Sequence, residues 1–147
     1  MEGSTSSVKA RGATRVHRVL LVDDDPALLM VLARAFTKAG YATRTAENGR
    51  KALDLLTSYR PELVVTDIVM PEMEGIGAIM AIKQMADPPK VIAMSGTGTL
   101  GRRNYLKWAK HLGADEVLSK PFRLDEMLSL ASQLIAKDSD NLINCGS

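Results

Sequence analysis

The chain has 147 residues, of which 46% are hydrophobic, 24% charged and 4% aromatic, the balance of one ordinary globular domain built on a single core. Its one cysteine, Cys145, excludes an intrachain disulfide and any Cys-x-x-Cys metal or redox site, so a reducing cytoplasm is the expected compartment. The net charge of +2 belongs to the start of the chain, where Lys9, Arg11, Arg15 and Arg18 face Glu2 alone; of the 19 basic and 17 acidic residues, 15 and 16 remain from Val19 onward. The folded part therefore carries no electrostatic expectation of nucleic-acid binding. No run approaches the roughly 20 apolar residues that cross a bilayer, and the start lacks the apolar centre of a secretory signal, so no membrane association is expected.

Residues 1–17 are rich in Ser, Thr, Gly and basic side chains and read as a flexible arm, too polar to offset the entropy of ordering them. From there the apolar pattern alternates between short unbroken runs and helical spacing, the signature of strands buried on both faces with helices covering them. Arg18 to Val22 (RVLLV) is the first strand. Asp25 followed by Pro26 supplies an N-cap and a residue suited to the first helical position, and Gly40 closes that helix. The second strand is Ala42 to Thr45. Asn48 opens a helix whose Ala52, Leu53, Leu55 and Leu56 fall on one side before Arg60-Pro61 ends it.

A third strand, Glu62 to Thr66, leads to a helix from about Gly75 to Met85, stopped by Asp87-Pro88-Pro89. The fourth strand is Lys90 to Met94, and its helix spans about Arg102 to Leu112, closed by Gly113, with Tyr105, Ala109 and Leu112 on a core face, Trp108 beside it and His111 near the C-terminal dipole. The fifth strand, Glu116 to Leu118, precedes a helix from Leu124 to about Ala136. Residues 137–147 (KDSDNLINCGS) turn polar and read as a tail. The expected architecture is α/β: one domain over residues 18–136, with a five-stranded parallel sheet, doubly wound. Functional groups in such sheets gather at the C-terminal ends of the strands.

Those ends are unusually polar. The first strand ends in Asp23-Asp24-Asp25, the third in Asp67, the fourth in Ser95 and the fifth in Ser119-Lys120-Pro121. Asp25 is accounted for by the helix cap. Asp23, Asp24 and Asp67 would crowd one edge of the sheet, where like charges resist joint ionisation unless a cation intervenes. Hard oxygen ligands without His or Cys favour Mg2+ or Mn2+. Lys120 adds a fixed positive charge and Ser95 a hydroxyl, so the set makes a receptor for a phosphoryl group with a carboxylate as nucleophile.

The segments VLLVDDDPALLMVLARAF, PELVVTDIVMPEMEG, VIAMSGTG and LGADEVLSKPF, in this order, resemble the receiver domain of two-component response regulators over about residues 17–136. The resemblance implies the flavodoxin-like (βα)5 fold and a CheY-like phosphoacceptor. It implies Asp67 as the phosphoacceptor, Asp24 as a direct metal ligand, Asp23 as a partner acting largely through water, and the Val69 backbone carbonyl as the remaining protein ligand. Ser95 and Lys120 take the phosphoryl-binding and switch roles, with a cis bond expected before Pro121. The implied partners are a sensor histidine kinase or a histidine phosphotransfer protein upstream, and a downstream protein on the face of the fourth helix, fifth strand and fifth helix. That face could also serve a homodimer.

Four features depart from the family pattern. Val117 stands where the family usually carries a switch aromatic. Gly96 replaces a common Ala, and the 25 residues from Ser95 to Lys120 exceed the usual spacing, with the excess in GTGTLGRR. Val69 is apolar where many receivers are polar, and Thr97 lies two residues past Ser95; both flank the path of a hydrolytic water, so a long-lived phosphoryl group is expected. The competing readings are a haloacid dehalogenase-like phosphatase, which leaves Asp67 and MPEMEG unexplained, and a degenerate receiver acting as a scaffold, which the full residue set argues against. A helix-turn-helix finds no room after Ala136, and the chain reads as a single-domain regulator.

Overall fold

The structure, a computed structural model, describes residues 16–68, 74–96, 110 and 113–146. Five strands, β1 (Arg18–Val22), β2 (Ala42–Ala46), β3 (Leu63–Asp67), β4 (Lys90–Ser95) and β5 (Glu116–Ser119), form one sheet in the order β2-β1-β3-β4-β5. Every neighbouring pair is parallel. Four helices are described: α1 (Pro26–Lys38), α2 (Gly49–Ser58), α3 (Glu74–Lys83) and α4 (Leu124–Gly146). The helix expected over 102–112, with Tyr105, Trp108, Ala109, His111 and Leu112, lies outside the described residues.

Strand alternation sorts the core into two layers. Val19, Leu21, Leu63, Val65, Ile92 and Met94 pack against α1 and α4 through Leu29, Leu32, Phe36, Met127, Ala131 and Leu134. Leu20, Val22, Val64, Val91 and Ala93 point the other way, against Ala52 and Leu56 of α2 and Ile79 and Ile82 of α3. Successive strand residues are thus buried on opposite faces, which is why these strands read as continuous apolar runs. Leu53, expected on the same side of its helix as Ala52 and Leu56, is instead 43% exposed on α2. It lies about 100° around the helix from Ala52, beyond the stripe that meets the sheet.

The helix ends follow their capping chemistry. Asp25 Oδ1 accepts from the Ala27 N–H at 3.0 Å at the start of α1, and Asn48 Oδ1 from the Lys51 N–H at 2.9 Å at the start of α2. Gly40 after α1 and Gly113 before β5 have φ of 104° and 121°, angles at which a Cβ is strained. Arg60 reaches φ 55° at the end of α2, where Arg18 Nε donates to the carbonyls of Tyr59 and Arg60 at 3.1 and 3.0 Å. That contact fastens the end of α2 to the start of β1 and supplies partners to carbonyls that the helix leaves open.

Both ends of the domain differ from the compositional reading. His17, placed in the arm, is anchored: its Nδ1 lies 2.7 Å from Glu62 Oε1 and its carbonyl accepts the Ala42 N–H at 3.0 Å. The last helix does not stop near Ala136 but continues to Gly146. Polar side chains do not end a helix, and no Gly or Pro lies between Leu124 and Cys145 to break its backbone hydrogen bonding.

Candidate functional site

The sheet order places β1 beside β3 at the point where the chain reverses its direction of travel across the sheet, and in open α/β sheets the carboxyl ends of the strands at such a point are where ligands bind. Val22 pairs with Thr66, so the next residues, Asp23 and Asp67, emerge side by side. One strand further, Met94 pairs with Asp67 and Ser95 with Ser119, which brings Ser95 and Lys120 to the same edge. The Lys120 N–H donates to the Ser95 carbonyl at 2.7 Å, and the Lys120–Pro121 peptide bond is cis.

Side chains from the ends of four strands gather there. Asp23 is fully buried; its Oδ1 accepts the Asp25 N–H at 2.9 Å and its Oδ2 accepts from Lys120 Nζ at 2.7 Å. Asp67 is 5% exposed, and its Oδ2 accepts from the same ammonium at 3.0 Å. Asp24 is exposed, and one carboxylate oxygen from each of Asp23, Asp24 and Asp67 lies within 4.8 Å of the others. Thr66, buried beneath, donates its hydroxyl to the Asp67 carbonyl at 3.1 Å. Ser95 is fully buried, with its hydroxyl donating to the Gly96 carbonyl at 3.3 Å.

Burial by itself would lower the Lys120 pKa, but hydrogen bonds to Asp23 and Asp67, and then the charges of those carboxylates, hold it above the ordinary lysine value. Lys120 is therefore cationic throughout the working pH range. Among the described residues three carboxylates gather around one ammonium, and the oxygens they offer a cation are hard donors. That donor set fits Mg2+ or Mn2+, which take one or two carboxylates and keep several waters.

The strand-end residues singled out from the sequence thus come together: Asp23, Asp24 and Asp67 with Lys120, and Ser95 at the adjoining edge. Val117 is half-buried on β5, paired with Ala93 and packed on the α2 and α3 side of the sheet. Val69 and Thr97 lie outside the described residues. Two contacts escaped the sequence reading. Lys120 reaches Asp23 as well as Asp67, a pairing between residues 97 positions apart that no local pattern announces. The amide of Asp25 holds Asp23, and here a signal existed: Asp side chains commonly accept the N–H two residues on. A cavity of about 610 Å3 opens at the opposite end of the sheet beside His17, Arg18, Glu62 and Lys90, and none of the site residues lines it.

Comparison with known proteins gives a consistent result. Residues 19–132 match the sequence profile of the response regulator receiver domain. The chain is 37% identical over 111 residues to sporulation initiation phosphotransferase F of Bacillus subtilis, covering 76% of this chain and 87% of that protein. It is 33% identical over 120 residues to response regulator MprA of Mycolicibacterium vanbaalenii, covering 82% of this chain but 51% of MprA, so it spans about half the length of that relative. Among solved structures, the signal receiver domain of a response regulator from Bermanella marisrubri superposes with a TM-score of 0.73 at 29% identity, over 82% of this chain and 99% of that one.

Proposed function

This chain belongs to the response regulator receiver domain family of two-component signalling, and from that premise we propose that it accepts a phosphoryl group on Asp67 and switches conformation to regulate a partner protein. The observation that carries this reading is the Lys120 ammonium held between Asp23 and Asp67 with the Asp24 carboxylate beside them. A nucleophile, a cationic clamp and a divalent-ion receptor at one edge of the sheet form the constellation that phosphoryl transfer needs.

The donor is a phosphohistidine on a sensor histidine kinase or a histidine phosphotransfer protein. An Asp67 carboxylate oxygen attacks phosphorus in line, and the phosphorus–nitrogen bond to the imidazole breaks with its electron pair leaving on nitrogen. The product is an acyl phosphate on Asp67. Asp23, Asp24, Asp67 and the Val69 carbonyl would hold Mg2+, which supplies positive charge to the phosphoryl oxygens. Lys120 supplies the second positive charge, from a place fixed by Asp23 and by its own backbone bond to Ser95.

Once Asp67 is modified, the Ser95 hydroxyl turns from the Gly96 carbonyl to a phosphoryl oxygen, and the segment after β4 follows it. With Val117 in place of an aromatic, no ring is available to flip, so the shift passes through backbone and packing to β5 and the face it shares with α4. That face serves the downstream protein or a second copy. Among the described residues no helix is long and apolar enough to cross a membrane, and the reading places the protein in the cytoplasm.

Intact-mass and peptide analysis after incubation with Mg2+ and acetyl phosphate tests the proposal. One added phosphoryl group on wild type, absent from Asp67→Asn and from a magnesium-free sample, is the expected result. Labelling that survives Asp67→Asn refutes it, as does continuous release of phosphate with no labelled protein, which a phosphatase would give.

A further inference from the structure

Asp25 lies outside the phosphoryl-binding set, yet the buried carboxylate of Asp23 is held by two donors, and one of them is the Asp25 amide. The two contacts act on different oxygens. Lys120 takes Oδ2 at 2.7 Å and the Asp25 N–H takes Oδ1 at 2.9 Å, which together fix the rotation of a fully buried side chain. For that amide to point back at Asp23, the chain must turn sharply between β1 and α1, and Asp25 is extended, with φ −95° and ψ 105°.

The side chain of Asp25 holds that turn. Its Oδ1 accepts the Ala27 N–H at 3.0 Å, and its carbonyl accepts the Leu29 N–H at 3.1 Å, so the residue is locked as the N-cap of α1. We propose that Asp25 is a positioning residue: through its cap it aims its own amide at Asp23 Oδ1 and thereby sets the carboxylate geometry of the divalent-ion site. The inference rests on the metal reading of Asp23, Asp24 and Asp67 given above. The cap acts by hydrogen-bond acceptance and not by charge. Asn and Ser, which cap helices as well as Asp does, keep the geometry, whereas Ala loses the acceptor and frees the turn.

The test compares wild type, Asp25→Ala, Asp25→Asn and Asp25→Ser by Mg2+ titration and by the carbon-13 carboxyl resonance of Asp23 in metal-free protein. Asn48→Ala serves as a control, because it removes the corresponding cap of α2, whose Asn48 Oδ1 accepts the Lys51 N–H. The expected result is a several-fold weaker Mg2+ affinity and a displaced Asp23 resonance in Asp25→Ala, with Asp25→Asn and Asp25→Ser close to wild type. Asn48→Ala lowers stability but leaves both readouts unmoved. The proposal is overturned if Asp25→Ala binds Mg2+ like wild type, or if Asp25→Asn weakens binding as much as Ala, which would make the effect one of charge. Should wild type bind no Mg2+, the metal reading fails on its own. The Asp23 resonance then decides this proposal: displacement in Ala alone upholds the positioning role, and no displacement ends it.

Discussion

Replacing Lys120 with Gln removes the ammonium that bridges Asp23 Oδ2 at 2.7 Å and Asp67 Oδ2 at 3.0 Å. Asp23 and Asp67 are 0% and 5% exposed, so water cannot readily take over from the lost cation. Breaking a buried ion pair costs about 3–5 kcal/mol, whereas an exposed pair contributes about 0–1 kcal/mol. The Lys120 side chain is 23% exposed, which places the loss toward the lower end, about 3 kcal/mol. Urea unfolding monitored by circular dichroism, with a slope of about 1–3 kcal/mol per molar, should show the midpoint falling by about 1–3 M in metal-free buffer.

Magnesium should then restore more stability to the variant than to wild type. In wild type the ion and the ammonium compete for the charge of Asp23 and Asp67, and removing Lys120 ends that opposition. A ligand at about 100 times its dissociation constant stabilises by about 2.7 kcal/mol, so the increment is readily measured. A metal-free midpoint within about 0.3 M of wild type would show that the bridge contributes little to stability. Equal magnesium increments in the two proteins would show that Lys120 and the ion do not share carboxylates.

The pH dependence follows from the same contact. The Lys120 pKa is raised above 10.5 in the folded protein, so its contribution is fully present below 10.5 and is lost as the pH rises through the higher folded value; wild type and Lys120→Gln should converge in stability there, and a constant gap counts against the assignment. Phe36, fully buried and edge-to-face with Tyr41 at 5.4 Å between ring centroids, anchors α1 to the sheet. Phe36→Ala should cost about 3–5 kcal/mol, lowering the thermal midpoint by about 10 °C; a drop of only a degree or two would mean that the α1 packing is loose. If Asp67 accepts the phosphoryl group as proposed, Val69→Asn should shorten its lifetime several-fold, since a polar side chain at that position would orient a hydrolytic water. Phosphate release from labelled protein measures this, and an unchanged rate refutes it.

The amino-acid sequence by itself determined the order and kind of the elements among the described residues, because strand and helix periodicity, caps and breakers are local. The runs RVLLV and ELVVT read as strands buried on both faces, Asp25-Pro26 and Asn48 as helix starts, and the structure has β1, β3, α1 and α2 there, with Asp23, Asp24, Asp67, Ser95 and Lys120 at or just past the ends of strands. Local signals failed where the deciding factor was not local. The polar character of residues 137–146 says nothing about whether a helix already nucleated on the core will continue, and α4 does continue. Leu53 shares its neighbours' apolar character but faces solvent, because the width of the buried stripe is set by the sheet it packs on. Above all, tertiary structure alone decided that Lys120 grips both Asp23 and Asp67, since the parallel register of β1, β3, β4 and β5 brings together side chains 97 and 53 positions apart. Which oxygen meets which donor depends on strand order and backbone register, and those are properties of the assembled sheet.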